Sequence, residues 1–258
     1  MQGAAISPVF WSAFGLLYAL SLLPLTAFAR GRALSALVFV AFAAGVVAAA
    51  ILFARLAVDI EPPPLSGNSL LLFAAPIAAL GAAMALWGSA ALLEKGAPLI
   101  EGFVRGVGRL SIALVLAMAA IQFSAVILRY VFGVNLIAVQ ESVTYLHGAV
   151  FLLAGGYALL TDDHVRVDIF YRDAGPRKKA IVDLAGFYLL LAPFCFVALW
   201  AAVPYVANSW AVREGSVEQS GIKGVYLLKT LIPIYLTLLV LAGFVTATRA
   251  AAILRKSG

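Results

Sequence analysis

Apolar runs of roughly 20 residues, the length a helix needs to cross the hydrocarbon core of a bilayer, follow one another along this chain. Seven can be read, at about 9–29, 34–56, 69–93, 107–128, 139–160, 180–205 and 227–248. No other feature constrains the fold as strongly. Inside lipid every backbone N–H and C=O must find a partner within the protein, and only helices and closed barrels achieve that. A barrel would show short segments of alternating polarity, and these runs do not alternate. Charged residues make up 12% of the chain, about half the ~25% of soluble domains, and the mean hydropathy is +1.04. The expected fold is all-α: a polytopic integral membrane protein with about seven transmembrane helices embedded in a lipid bilayer.

The net charge of +6 does not call for nucleic acid. Lys and Arg excess in a membrane protein collects on the cytoplasmic side and sets orientation. With seven spans, thirteen of the eighteen Lys and Arg residues fall on one side, among them Arg172, Arg177, Lys178, Lys179, Arg255 and Lys256. The other five are Arg55, Arg129, Arg213, Lys223 and Lys229. The expectation is an external N-terminus and a cytoplasmic C-terminus, with the acidic, proline-rich segment Asp59 to Pro64 outside. The first run lacks the basic residues that precede a cleaved signal, so it reads as a retained helix.

The charged, Gly-rich stretch 94–106 divides the chain into an N-terminal three-helix extension, 1–93, and a four-helix domain, 107–258, and is itself long enough for a short interfacial helix. Pro24, Pro76, Pro193 and Pro233 fall in or near spans and read as kinks, because neighbouring groups can satisfy the carbonyls that proline leaves unbonded. Asp173 ahead of Pro176 reads as a helix N-cap followed by proline in the first turn. Lys179 and Asp183 stand at the i, i+4 spacing of an ion pair.

Arg129 ends the fourth span and Glu141 opens the fifth, with a turn through Gly133 between them. Glu141 could be a substrate or proton carboxylate. The alternative, an Arg129–Glu141 clasp across the hairpin, is preferred, because charges at membrane depth are costly unless paired. His147 lies on the same helix as Glu141, Tyr145, Gly148 and Leu152, with Gly148, Gly155 and Gly156 small enough for a second helix to approach closely. The only other histidine, His164, is seventeen residues further on, roughly 25 Å along a continuous helix. Two such histidines cannot clamp one haem within a chain, which weighs against a membrane anchor of a redox complex, the alternative reading. His147 is expected to contact another helix. Asp162, Asp163 and His164 could form an acid–base group, but no nucleophile stands beside them. Cys195 is the lone cysteine, and no Cys/His cluster suggests zinc. There is no Walker motif, and no span has the interrupted, polar-lined character of a midplane solute site. No catalytic residue, cofactor or metal is expected, and the chain is not read as an enzyme.

Arg129-Tyr-Val-Phe132, Glu141, His164-Val-Arg-Val-Asp168, Ser209-Trp210, Glu218-Gln-Ser220 and Lys229-Thr-Leu-Ile-Pro233 follow one another in the order seen in a known family. Over residues 105–254 the chain resembles the small membrane subunit of tripartite ATP-independent periplasmic (TRAP) transporters. The resemblance implies a scaffold packing against a large multi-helix permease subunit in the bacterial inner membrane. That large subunit would carry the sodium and substrate sites and move like an elevator. A periplasmic substrate-binding protein would deliver organic anions, carboxylates among them. The interface residues implied are Arg129, Glu141, His147, Gly148, Gly155, His164, Arg166 and Asp168. Arg213, Glu218 and Ser220 would belong to a periplasmic partner loop. The chain departs from the family where Trp and two acidic residues are common: Val139, Gln140 and Glu141 stand here, so a second carboxylate is missing. The N-terminal extension is the other departure.

Overall fold

The computed structural model describes residues 8–28, 36–37, 39–40, 67–164 and 171–256, and among these the regular structure is helical throughout. α1 (Pro8–Leu22) tightens into a 3₁₀ segment (Leu23–Phe28). α2 (Gly67–Trp87) stops at Gly88, whose φ of 85° closes the helix with an N–H to the Met84 carbonyl at 2.9 Å. A left-handed residue after a helix favours glycine, which has no Cβ to clash. α3 follows at once (Ser89–Tyr130), then α4 (Ile137–Thr161), α5 (Pro176–Ala211) and α6 (Val225–Lys256).

The four helices expected in the C-terminal domain are present. Apolar stretches long enough to cross a membrane occupy Ala91–Tyr130, Ile137–Thr161, Pro176–Ala211 and Val225–Lys256, and shorter apolar helices occupy Trp11–Thr26 and Ala74–Met84. The span expected at 34–56 and the Asp59 to Pro64 segment lie almost wholly outside the described residues. The stretch 94–106 carries no break. It belongs to α3, a 42-residue helix of about 63 Å at 1.5 Å per residue, twice the thickness of a hydrocarbon core. Its charges support helix: Arg105 pairs with Glu101 one turn earlier at 2.9 Å, the spacing at which opposite charges meet on one face.

α5 begins where Pro176 predicts, with proline in the first turn, but its N-cap is Gly175 rather than Asp173, and no side chain caps it. Asp183 accepts the Tyr171 hydroxyl at 3.0 Å, while the Lys179 ammonium lies 5.1 Å from the centre of the Tyr171 ring. A π-helical turn, Phe187–Leu191, widens α5 just ahead of Pro193. Proline has no N–H for the carbonyl four residues back, and a π turn is one way a helix absorbs such a gap.

The chain forms two compact units. Of the described residues, the first comprises 100–164 and 193–242. In it α4 packs on α3 and α6 through glycines: a Cβ on Gly108 would strike the Tyr157 ring, and one on Gly156 would stand 2.9 Å from Leu238 Cβ and 3.1 Å from its carbonyl oxygen. The second comprises the described residues among 8–99, with 171–192 and 243–256. There α1 packs on α2, with Tyr18, Ala19, Leu22 and Met84 buried. The Tyr188 hydroxyl donates to the Ser21 carbonyl at 2.8 Å, tying α1 to the π turn of α5, and Phe187 seats against Gly243 of α6.

Candidate functional site

The polar groups of the first unit converge where α4 begins and the α5–α6 loop folds over it. Glu141 stands one turn into α4. Its two oxygens accept from that loop: the Ser216 hydroxyl donates to Oε1, and the Ile222 N–H donates to Oε2 at 2.6 Å. The loop is closed on itself by the Ser216 N–H to the Ile222 carbonyl at 3.0 Å, and turned at its tip by the Gly221 N–H to the Glu218 carbonyl at 3.1 Å. The Glu218 N–H also reaches Ser216 Oγ at 3.1 Å. A Cβ on Gly221 would fall 2.7 Å from Glu141 Oε1 and onto the Ser216 side chain, so only glycine fits under the carboxylate.

A second carboxylate holds the other limb of the loop. Glu214 Oε2 accepts from Ser209 Oγ at 2.6 Å and from Lys229 Nζ at 2.5 Å. The Lys229 ammonium also lies 4.1 Å from the centre of the Tyr205 ring, a cation–π contact that adds to the ion pair. Hydrogen bonding from Lys229 first, and from Ser209 second, holds the Glu214 carboxyl below its ordinary value. Trp210 donates from Nε1 to Thr230 Oγ1 at 2.8 Å and meets the Tyr226 ring edge-on. The loop is thereby bound to the ends of α4, α5 and α6 by groups of both signs. Both carboxylates are occupied by donors of the chain itself, an arrangement suited to holding a loop in shape rather than to proton transfer.

The expected Arg129–Glu141 clasp does not form. Arg129 is exposed at the end of α3, its guanidinium 5.8 Å from the centre of the Tyr130 ring, and among the described residues no ion pair joins it to Glu141. Backbone explains the preference: the Ile222 N–H sits in a loop with no regular partner, and an unbonded amide is costlier than an unpaired exposed arginine. Gly148 faces Leu228, with 3.0 Å between a built Cβ and Leu228 Cδ1, and Gly155 faces the Tyr235 ring, so both glycines serve the chain's own α6. His147 points away, exposed, its ring 4.6 Å from that of the equally exposed Phe151. His164 is exposed beyond the end of α4, which Asp162 closes at φ 65°. Arg166 and Asp168 lie outside the described residues. Arg213, Glu218 and Ser220 are all exposed on the α5–α6 loop, Arg213 at φ 46°. No cluster of three or more metal-ligating side chains occurs among the described residues.

Ser209 entered the sequence reading only through the family's residue order, and Glu214, Ser216 and Gly221 were passed over; with Glu141 they belong to the strap of hydrogen bonds that holds the loop. One signal could have found the second carboxylate. Lys229 sits one turn into an apolar helix, where a cation needs a partner, and Glu214 is the acidic residue on the loop just before it. Ser216 and Gly221 carry no comparable cue, because their roles follow from the folded shape of the loop.

Residues 118–253, more than half of the chain, match the family described as tripartite ATP-independent periplasmic transporters, DctQ component. The match begins within α3 and ends within α6, leaving α1 and α2 outside it. No curated protein and no solved structure matches.

Proposed function

This chain belongs to the DctQ-component family of the tripartite ATP-independent periplasmic transporters, and on that premise we propose that it is the fixed scaffold of such a transporter. Membership makes it a small permease component with membrane-spanning helices. The finer reading is a sodium-coupled system importing organic anions, carboxylates among them, across a bacterial inner membrane. A periplasmic binding protein delivers the solute, and a large multi-helix subunit slides against this chain as it moves it.

The observation that carries the scaffold reading is the way α4 is held. Its glycines seat the chain's own α6, and Glu141 at its start binds the α5–α6 loop. A helix fixed along its length and at its end is what a sliding partner needs to push against. The exposed His147–Phe151 edge of α4 is the surface we assign to the large subunit. Arg129 and the segment carrying His164, Arg166 and Asp168 would border the same contact. Arg213, Glu218 and Ser220 would meet the binding protein, with the loop on the external side and the C-terminus in the cytoplasm, the orientation that the Lys and Arg distribution favours. The N-terminal extension, 1–93, would broaden the body in the bilayer; the Tyr188–Ser21 hydrogen bond supports its attachment.

Affinity purification of the tagged chain from its native membrane in mild detergent tests this. A large multi-helix protein retained in stoichiometric amount is expected, and His147→Ala with Phe151→Ala should weaken that retention. Isolation of the chain alone, or with redox subunits, would overturn the reading.

A further inference from the structure

Arg172, Arg177, Lys178 and Lys179 crowd the start of α5, whose first turn has no acidic residue. The unbonded N–H groups of a helix N-terminus carry partial positive charge and favour anions, so four cations stand where the helix itself already repels them. Arg172, Arg177 and Lys178 are exposed, and among the described residues no carboxylate pairs with them. Of the acidic residues nearby, Asp173 is exposed beside Arg172, and Asp183 accepts the Tyr171 hydroxyl. The balance remains positive.

The end of α6 adds to it. Phe187 of α5 seats against Gly243 of α6. From that contact α5 runs eleven residues back to Pro176 and α6 runs thirteen forward to Lys256, about 17 Å and 20 Å of helix. The two ends therefore lie at one level, and the exposed Arg255 and Lys256 join the cations of α5 there.

Below the charges the same face of α5 turns apolar. Arg177 and Ile181, and Lys178 and Val182, are i, i+4 pairs that share a face, and Ile181 and Val182 are each about half exposed, with Leu189 more so. Charge above and exposed aliphatic surface below is complementary to one kind of molecule: a phosphate headgroup with an acyl chain beneath it.

We propose that the start of α5, with the end of α6, binds an anionic phospholipid, its phosphate met by Arg172, Arg177 and Lys178 and its acyl chain lying on Ile181, Val182 and Leu189. This site does not depend on the scaffold role, because it needs only this chain and a bilayer.

The full chain, purified in detergent and offered an equal mixture of phosphatidylglycerol and phosphatidylcholine, tests the site by native mass spectrometry. Phosphatidylglycerol should be retained at least about fivefold over phosphatidylcholine, the factor expected from even one juxtamembrane cation. Combined Arg172→Gln, Arg177→Gln and Lys178→Gln should bring the ratio close to one. Arg105→Gln, which removes a cation paired within α3, should leave it unchanged. Should the triple variant fail to fold, raising salt on the wild-type chain gives the same answer, because exposed charges are screened within about 3 Å at 1 M. Equal retention of the two lipids by the wild type, a preference indifferent to salt, or a preference that survives in a folded triple variant would each overturn the proposal.

Discussion

Gly155 and Gly156 in α4 and Gly102 and Gly106 in α3 are all glycines within helices, yet their surroundings are opposite. Added Cβ atoms at the first pair would strike Tyr235 and Leu238 of α6, while at the second pair they would meet nothing within 4 Å. The helices differ in the same sense: 6% of the most apolar stretch of α3 is buried, against 50% for α6. A small residue in a membrane helix thus does not by itself mark a contact within the chain. In α4 it admits the chain's own helix; along much of α3 it leaves a surface turned outward. Gly108 shows both behaviours on one helix, since it lies two residues from open Gly106 and yet faces Tyr157.

The sharpest way to break this contrast is Gly156→Ala. The obstruction there includes the Leu238 carbonyl, which cannot rotate aside, so the substitution should cost about 1–3 kcal/mol of stability, read as a lower melting temperature in detergent. Gly155→Ala should cost less, because a tyrosine ring can shift. If both melt like the wild type, the α4–α6 contact is looser than described.

Next comes the strap. Glu141→Ala leaves the Ile222 N–H and the Ser216 hydroxyl without their acceptor, and the α5–α6 loop should open. Limited proteolysis should then cut between Ser216 and Ile222 several times faster than in the wild type, while the helices stay intact. Unchanged cleavage would mean that Glu214 alone holds the loop.

Acid should loosen the other limb. The Glu214 carboxyl is depressed from its ordinary 4.5 by Lys229 and Ser209, so it binds its proton less readily folded than unfolded. Its contribution is fully present above the unfolded value and is lost as pH falls through the folded one. Fluorescence of Trp210, which lies on the same limb, should change only below the usual carboxylate range, and Glu214→Gln should abolish that transition. A change centred at or above 4.5 would contradict the assignment.

The smallest effect belongs to the outward-facing glycines. Gly102→Ala meets no obstacle and gains helix propensity, so stability should rise by no more than about 1 kcal/mol. A marked loss would show that a partner fills the space beside it.

Several features were readable from the chain. The turn between α3 and α4 falls at Gly133, at φ 66°, the glycine singled out for it, and Pro176 opens α5. The small residues of α4 do admit a helix. The stretch 94–106, rich in glycine and charge and long enough for a helix, is helical within α3: near a bilayer a helix keeps all its backbone groups bonded, and the Glu101–Arg105 pair helps. One reading failed for a definite reason. Glu141 looked to Arg129, twelve residues away, and found Ser216 and Ile222 across 75 and 81 residues instead.

By itself the sequence determined that this protein is a bundle of membrane helices, because the lengths of apolar runs and the need to bond backbone groups in lipid are local properties of the chain. It also determined the family, through residues in a recognisable order. Only the tertiary structure decided which carboxylate holds which loop, which glycines are filled and which cations are left facing outward. Those outcomes depend on competition between partners distant in sequence, and an unbonded amide in a folded loop outbids an arginine that water or lipid headgroups can satisfy.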